Sequence, residues 1–251
     1  MPVETRDVEK LVRLEGEKTS QFFGTEVPQP GVWLFEAEDR IKRDQLFKVA
    51  PFYLPQRQLV EGVTYPGLKW PLNPWIYEQI RNGNLDEDAD QLPGAWVLLD
   101  VTPKPNYDNG RQMYHDTKRF KEMLAGLREQ NLIEVSSEYR HISEDSRFAI
   151  SADKIDGRGA VVARAVAEIL GIQSEQVTTL PYATFNYVGN RDHPEWGQAN
   201  TAEWLRNTFE HGRRPHGGHS LGGLSDVLYW LSDYRFDIIG FRLQVGPPSN
   251  T

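Results

Sequence analysis

Residues 222–245 have the sequence GGLSDVLYWLSDYRFDIIGFRLQV, and this stretch decides the fold prediction. Part of it is suited to holding a backbone still, because two glycines, Trp230, Arg235 and the triplet at 240–242 lead into an apolar strand. Between these positions lie large apolar or aromatic side chains, in a segment otherwise rich in Ser, Asp and Arg: Leu228, Tyr229, Leu231, Tyr234, Phe236 and Ile238. So many apolar side chains in a loop-like segment require an explanation.

The composition of the whole chain predicts a soluble globular protein. Its 251 residues are 39% hydrophobic and 25% charged, which suits one large domain or two small ones. A formal charge of -8 makes nucleic acid an improbable ligand. The chain has no cysteine, which removes disulfides, thiolate metal sites and cysteine nucleophiles. Residues 1–30 are too charged to predict a signal peptide, and no apolar run approaches the roughly 20 residues that span a bilayer.

Periodicity predicts a few regular elements. Residues 95–102 form the clearest strand, and apolar residues at helical spacing predict a helix within 115–131, capped by Asp116 or Thr117. A second helix is predicted within 160–172 and ends at Gly171. We also expect a short helix or arm before residue 26, a strand at 31–38, and long ordered loops between residues 180 and 218.

Three motifs suggest ligand chemistry, and each has a simpler interpretation. The acidic run at 84–90 lacks the Gly and Glu of a calcium loop, so we interpret it as a solvated loop. The Gly-x-Gly at 157–159 lacks the third glycine of a phosphate-binding motif and is interpreted as a helix start. His211, His216 and His219, with Glu203 or Glu210, are candidate metal ligands, but their spacing is irregular and Arg213 and Arg214 would repel a cation. We therefore expect no bound metal.

The C-terminal third resembles the formylglycine-generating-enzyme branch of the C-type lectin fold. The resemblance rests on Gly-Gly at 217–218, Tyr-Arg at 234–235 and IGFRLQV at 239–245, and EWLRNTFEHGRRPHGGHSLGGL at 203–224 extends it. The strand at 95–102 lies where that fold has its first strand, which pairs with the last. The resemblance implies an α+β domain over residues 95–251, with two helices, a small antiparallel sheet and long ordered loops. Residues 1–94 are then an N-terminal extension packed on it.

Within that branch the chain is most similar to the variable proteins of diversity-generating retroelements, including those of archaeal viruses. In that family a reverse transcriptase mutates adenines of a template copy, so Asn codons become NNY codons, which never encode Trp, Gln, Lys, Glu or Met. The resemblance implies a variable region at about 215–242 and eight variable, ligand-binding positions: His219, Leu221, Leu228, Tyr229, Leu231, Tyr234, Phe236 and Ile238. It implies a fixed scaffold made of Gly217, Gly218, Trp230, Arg235, Gly240, Phe241 and Arg242.

Two functional hypotheses follow from the resemblance. The first is a ligand-binding variable protein that is not an enzyme and uses no cofactor. It recognises a protein or other macromolecule, and the protein itself would be carried on a virion or on a cell surface. Trp230 and Phe241 would then support the displayed side chains from beneath, and Arg242 would be buried and paired. The second is an enzyme, or a binder of a small molecule or metal, that uses His211, His216 and His219.

The sequence also leaves a purely structural interpretation open, in which the apolar positions are core. Tyr234, Phe236 and Ile238 alternate with the period of a half-buried strand, and Leu228 and Leu231 have a spacing that a helix allows. Catalysis has no supporting motif. The chain lacks the thiols of formylglycine generation, the His-x-x-x-His-x-Glu of related iron enzymes and the calcium triplets of sugar-binding lectins.

Overall fold

The computed structural model describes residues 8–134 and 137–248. Seven α-helices and eight strands follow one another in this part of the chain: α1 (Val8–Ser20), α2 (Val32–Arg43), β1 (Val49–Gln58), α3 (Pro74–Arg81), β2 (Gln91–Asp100), α4 (Lys118–Glu129), α5 (Ala152–Ile155), α6 (Val162–Leu170), β3 (Val177–Thr179), α7 (Tyr182–Arg191), β4 (Ala202–Trp204), β5 (Arg213–Gly217), β6 (Val227–Leu231), β7 (Ile239–Phe241) and β8 (Leu243–Val245). The fold class is α+β, as predicted.

The strands form two four-stranded sheets. The first has the order β1-β2-β8-β3 and is antiparallel throughout. The expected pairing of the strand near residue 95 with the last strand is confirmed, because Leu98 lies opposite Val245. The second sheet has the order β6-β5-β4-β7, and its β4 and β7 run parallel. This second sheet contains β6 and β7, eight of the 24 residues at 222–245.

Apolar clusters cover both faces of the first sheet. Trp96 and Leu98 of β2 pack with α2, α4 and α6, whereas Val97 and Leu99 pack with α3 and α7. Successive side chains of a strand point to opposite faces, so a strand buried on both faces is a continuous apolar run. This explains why β2 was the clearest strand in the sequence.

The two helices predicted from periodicity are confirmed, with their ends. The Thr117 hydroxyl caps α4 by accepting a hydrogen bond from the Phe120 amide at 3.2 Å. Helix α6 ends at Gly171, whose φ of 62° is the left-handed conformation that glycine adopts at a helix C-terminus. The short helix expected before residue 26 is α1.

The strand expected at 31–38 is wrong, because this segment begins α2. Leu34, Ala37, Glu38 and Ile41 are its buried residues, and their spacing of three and four is helical. Helix α7 lies in the region expected to be loops. Its residues from Tyr182 to Gly189 are all buried, so it has no polar face and therefore no amphipathic period in the sequence.

The architecture is thus richer in regular structure than the resemblance implied. There are seven helices in the described residues where two were expected, and two sheets where one small antiparallel sheet was expected. Residue 94 lies inside β2, and β1 pairs with β2 along its whole length, so the first 94 residues share a sheet with the remainder. The division into an extension and a main domain stays a prediction. None of the described helices combines the length and apolar character that a bilayer crossing requires.

Candidate ligand-binding surface

Strand β6 is an edge strand, and it projects large apolar side chains into solvent. Among the described residues it pairs with β5 alone, and it lies at the end of the second sheet. Four residues of β6 and Tyr234 of the following loop have large exposed fractions: Leu228 59%, Tyr229 38%, Trp230 47%, Leu231 39% and Tyr234 49%. We call these five residues the β6 surface. Leu221, in the loop before β6, is 92% exposed.

One face of β6 carries a stack of aromatic rings. Tyr229 lies parallel to Phe209 at 4.5 Å and to Trp75 at 5.3 Å between ring centroids. The guanidinium of Arg213 lies 5.4 Å from the centre of the Tyr229 ring, within the range of a cation–π contact. Phe209 is buried, so the stack connects the exposed Tyr229 to the interior.

The opposite face of β6 carries a second aromatic group. Trp230 meets Phe236 at 5.6 Å and Tyr234 at 6.0 Å, both edge to face. Phe236 in turn contacts the buried Trp204 at 6.4 Å. Each face of β6 therefore has an aromatic side chain exposed to solvent. Each of these side chains also contacts a ring that is buried or that packs against the core.

The loop at 232–238 is held in place by its backbone. The Ser232 carbonyl accepts a hydrogen bond from the Asp153 amide, and the Phe236 carbonyl accepts one from the Ala149 amide, both at 3.0 Å. Asp237 accepts a hydrogen bond from the Tyr107 hydroxyl at 2.7 Å. These bonds do not use the side chains at 234, 236 or 238, so those side chains can change without loss of the anchors.

Arg242, between β7 and β8, is buried as expected. Its guanidinium donates to the Glu203 carboxylate at 3.0 Å and to the carbonyls of Asp100 and Thr102 at 2.6 and 3.0 Å. Glu203 also accepts a hydrogen bond from the Tyr114 hydroxyl at 2.7 Å, and burial raises the pKa of Tyr114 well above its usual value. This network ties β8 and β7 to β4 and to the end of β2.

The Gly217-Gly218 turn is fixed by close contacts and a buried lysine. Gly218 has a φ of 82°, and a Cβ added there would lie 2.5 Å from the Phe185 ring. At Gly217 an added Cβ would collide with the Asp226 carbonyl oxygen. Lys104 donates to the Gly218 carbonyl at 2.6 Å and to the Thr201 carbonyl at 2.9 Å, and its burial lowers its pKa to about 8.

The structure separates the predicted variable positions into two groups. Leu221, Leu228, Tyr229, Leu231 and Tyr234 are exposed. His219 is half-buried, and Phe236 and Ile238 are half-buried and pack against the core. Leu228 and Leu231 lie in a strand, which removes the helical alternative, and residues 234–238 are irregular rather than a strand.

Trp230 does not lie where the sequence predicted it. We expected it beneath the surface as support, and instead it is 47% exposed among the residues that it was to support. The reason is that β6 is an edge strand with both faces open, so alternation along it does not separate inside from outside. The other expected supports, Gly217, Gly218, Gly240, Phe241 and Arg242, are buried, and Arg235 is half-buried in an ion pair with Glu134.

A cleft of about 790 Å³ adjoins the loop after β6. Asp233, Tyr234, Arg235 and Phe236 form one wall. The other walls come from residues around α5 and from the segment near residue 138, among them Lys154, Arg158 and Tyr139. Two predicted variable positions, Tyr234 and Phe236, therefore line this cleft.

The three candidate histidines do not form a metal site. In residues 8–134 and 137–248 no three His, Asp or Glu side chains make a group that could hold an ion. His211 is exposed beside Glu210, and the Nδ1 atom of His219 accepts a hydrogen bond from the Leu221 amide at 3.2 Å. The His216 ring packs edge-on against Trp204 at 5.5 Å, and its burial lowers its pKa to about 4.

The His216 ring predicts an acid-sensitive fold. Its pKa in the folded state is about 4, below the ordinary value of 6.5, so the unfolded chain takes up the proton first. This group's contribution to stability is complete above pH 6.5 and is lost as the pH falls from 6.5 to 4. We expect the His216→Gln variant to lose less free energy of unfolding than the wild type between pH 7 and pH 4.5 in urea titrations. His211→Gln, at an exposed site, is the control, and equal losses in all three proteins would contradict the prediction.

Several residues of this region had no signal in the sequence. Trp75 reaches Tyr229 from α3, Lys104 donates to the Gly218 carbonyl, and Tyr114 donates to Glu203, the carboxylate partner of Arg242. Lys104 and Gly218 are 114 positions apart, so no local spacing could indicate their contact. Comparison of the chain with protein-family models, with curated proteins and with solved structures gives no match.

Proposed function

We propose that this protein binds a macromolecular ligand through exchangeable side chains on a fixed scaffold, as a variable protein of the C-type lectin type. One observation carries the proposal. Of the eleven exposed large apolar side chains in the described part of the chain, six lie within residues 221–234. Single exposed apolar residues are ordinary, but a cluster on one surface is typical of an interaction site.

The scaffold beneath the surface supports the same function. Ligand-binding loops need a backbone that keeps its shape when their side chains change. Here the loop at 232–238 is anchored by backbone hydrogen bonds, and the turn at 217–218 is held by Lys104. The Arg242–Glu203 pair ties the segment between β7 and β8 to β4, with each side chain 1% exposed.

The residue types on this surface agree with variation through NNY codons. Every residue of the β6 surface except Trp230 can be encoded by an NNY codon, and so can Leu221. Trp230 cannot, so within the proposed function it is a constant aromatic at the centre of a changing surface. Tryptophan is enriched among the residues that dominate binding energy, which suits an invariant anchor.

The genomic neighbourhood tests the proposal directly. We expect a near-copy of codons 215–242 beside a reverse-transcriptase gene, differing from the coding copy only where the near-copy has adenine. The codon for Trp230 should be identical in both copies. A genome with neither the near-copy nor the reverse transcriptase would contradict the retroelement part of the proposal and leave ligand binding to be tested on the protein.

Elemental analysis tests the alternative function. An enzyme or metal binder that used His211, His216 and His219 would need these side chains to converge, and they do not form a group that could hold an ion in the described residues. We expect protein purified without chelator to contain less than one equivalent of calcium or any transition metal. A stoichiometric ion that is lost in the His216→Gln or His219→Gln variant would favour the alternative.

A further inference from the structure

We propose that the free edge of β6 binds an extended segment of the ligand protein, which adds to the second sheet as a further strand. The inference deepens the proposed function, because it states which chemical form of ligand the β6 surface recognises. It rests on the direction of the β6 backbone groups, on the exposure of the edge and on the charge beside it.

The hydrogen-bond pattern shows which backbone groups of β6 point outward. The Ser232 amide donates to the Gly212 carbonyl and the Gly218 amide donates to the Asp226 carbonyl, so residues 226 and 232 form hydrogen-bonded pairs with β5. In an antiparallel ladder such pairs alternate with pairs that are not bonded. Leu228 and Trp230 therefore bond to β5, and Tyr229 and Leu231 direct their amides to the free edge.

Pro215 agrees with this pattern. It lies opposite Tyr229, in a pair that exchanges no hydrogen bonds with β6, and its missing N–H is on the β4 side. On the β4 side the Pro215 carbonyl accepts a hydrogen bond from the Leu205 amide at 3.0 Å. The Leu205 carbonyl has no proline N–H to bond, and it accepts a hydrogen bond from the Arg214 side chain at 2.9 Å. The register of β6 is thus fixed, and so is the outward direction of the Tyr229 backbone.

Three of the four outward backbone groups of Tyr229 and Leu231 have no partner in the part of the chain that the structure describes. The Tyr229 amide and carbonyl and the Leu231 amide make no hydrogen bond there, whereas the Leu231 carbonyl accepts from the Tyr234 amide at 3.1 Å. Natural edge strands are usually blocked by lysine, proline, a bulge or a covering element. Strand β6, with the sequence VLYWL, carries neither of those residues and is exposed from Leu228 to Leu231.

The charge beside the edge favours another protein over a second copy of this chain. Arg213 lies on the Tyr229 ring and has no carboxylate within ion-pair distance among the described residues, so it can pair with an acidic side chain of the added strand. A second copy would bring another formal charge of -8 to the contact. The expected ligand segment is therefore extended, with apolar side chains on both of its faces and an acidic side chain beside Arg213.

Strand addition suits a surface whose side chains change. Main-chain hydrogen bonds give affinity that is independent of the side chains, and the side chains on the two faces of the added strand give specificity. Leu228 and Trp230 would meet one face of the ligand strand, and Tyr229 and Leu231 the other. Each new set of side chains would then alter selectivity without a loss of the backbone contribution.

Peptide selection with backbone methylation tests the inference. The probe is a phage library of random linear peptides of about twelve residues, selected on the full chain and then synthesised with a fluorescent label. We expect binders in which N-methylation of the residues that face β6 weakens affinity by about tenfold or more, on the scale of two lost hydrogen bonds. N-methylation of the alternate residues serves as the matched control and should have a much smaller effect.

Variants of the protein give a second measurement. Tyr229→Pro removes the outward amide and the ring, whereas Tyr229→Ala removes the ring alone, so we expect the proline variant to bind the peptide more weakly. If Tyr229→Pro does not fold, hydrogen exchange in the wild-type protein decides, because peptide binding must slow exchange of the Tyr229 and Leu231 amides.

The outcomes separate this inference from the proposed function. Peptides that tolerate methylation at every position, or a selection that yields no binding peptide, would overturn strand addition. So would sedimentation showing a dimer of the wild type that becomes a monomer in the Tyr229→Pro variant. The proposed function fails separately, if Leu228→Ser and Tyr234→Ser leave both the affinity and the selected peptide sequences unchanged.

Discussion

Replacing Arg242 by alanine is expected to unfold the protein or to lower its free energy of unfolding by about 3 to 5 kcal/mol, the range for breaking a buried ion pair from one side. The Arg242 guanidinium holds the Glu203 carboxylate and two backbone carbonyls, and both side chains of the pair are 1% exposed. Without the guanidinium, the buried Glu203 carboxylate keeps only the hydrogen bond from the Tyr114 hydroxyl among the described residues. Urea denaturation at pH 7 measures the loss.

Arg206→Ala is the matched control for that experiment. Arg206 is exposed, so its truncation should change stability by less than about 0.5 kcal/mol. An Arg242→Ala protein that kept its stability within about 1 kcal/mol of the wild type would show that the pair does not hold the scaffold. The connection of β4 to the segment between β7 and β8 would then depend on contacts other than this ion pair.

Replacing Trp204 by alanine is expected to have an effect of similar size, about 3 to 5 kcal/mol, because the indole fills a core site. Trp204 is 1% exposed, and its indole nitrogen donates to the Ile150 carbonyl at 3.1 Å. The contrasting variant changes four exposed positions together, Leu221→Ser, Leu228→Asn, Leu231→Asn and Tyr234→Ser, all within the NNY set. We expect it to lose less than about 2 kcal/mol, since surface changes cost under about 0.5 kcal/mol each.

The denaturant slope completes the comparison. The fourfold variant should keep the wild-type slope, because the surface exposed on unfolding hardly changes. Phe236 and Ile238 are left out of it, since both pack against the core and their substitution would report on burial as well as on display. A fourfold variant as unstable as Trp204→Ala would mean that these side chains belong to the core.

The elements that the sequence predicted best are those in which the spacing of apolar residues matches the buried face or faces. Helices α4 and α6 have one apolar face each, and Thr117 and Gly171 mark two of their ends, so both helices and those ends were predictable. Strand β2 was predictable because both of its faces are buried. Helix α7 was missed for the opposite reason, since a helix buried all round leaves no period to detect.

The candidate surface was predictable in place but not in detail. Residues 222–245 indicated a framework with apolar side chains in it, and those at 228, 229, 231 and 234 are exposed. Trp230 was placed beneath the surface because a fixed residue type was equated with a buried one. The partners of Arg242 lie 39 and more than 100 positions away, and only the tertiary fold brings them together.

The most direct test of display on a fixed scaffold is a binding selection. We would randomise Leu228, Tyr229, Leu231 and Tyr234 with NNY codons and select on a folded test protein that the wild-type chain does not bind. The control library randomises Leu14, Val32, Val60 and Val63, which are also exposed apolar residues but lie outside the β6 surface.

The measured quantity is the dissociation constant of the selected variants for the test protein. We predict micromolar or tighter binders from the first library, folded like the wild type, and none from the control library. Equal yields from the two libraries, or no binder from the first, would contradict the claim that the β6 surface is built to recognise ligands.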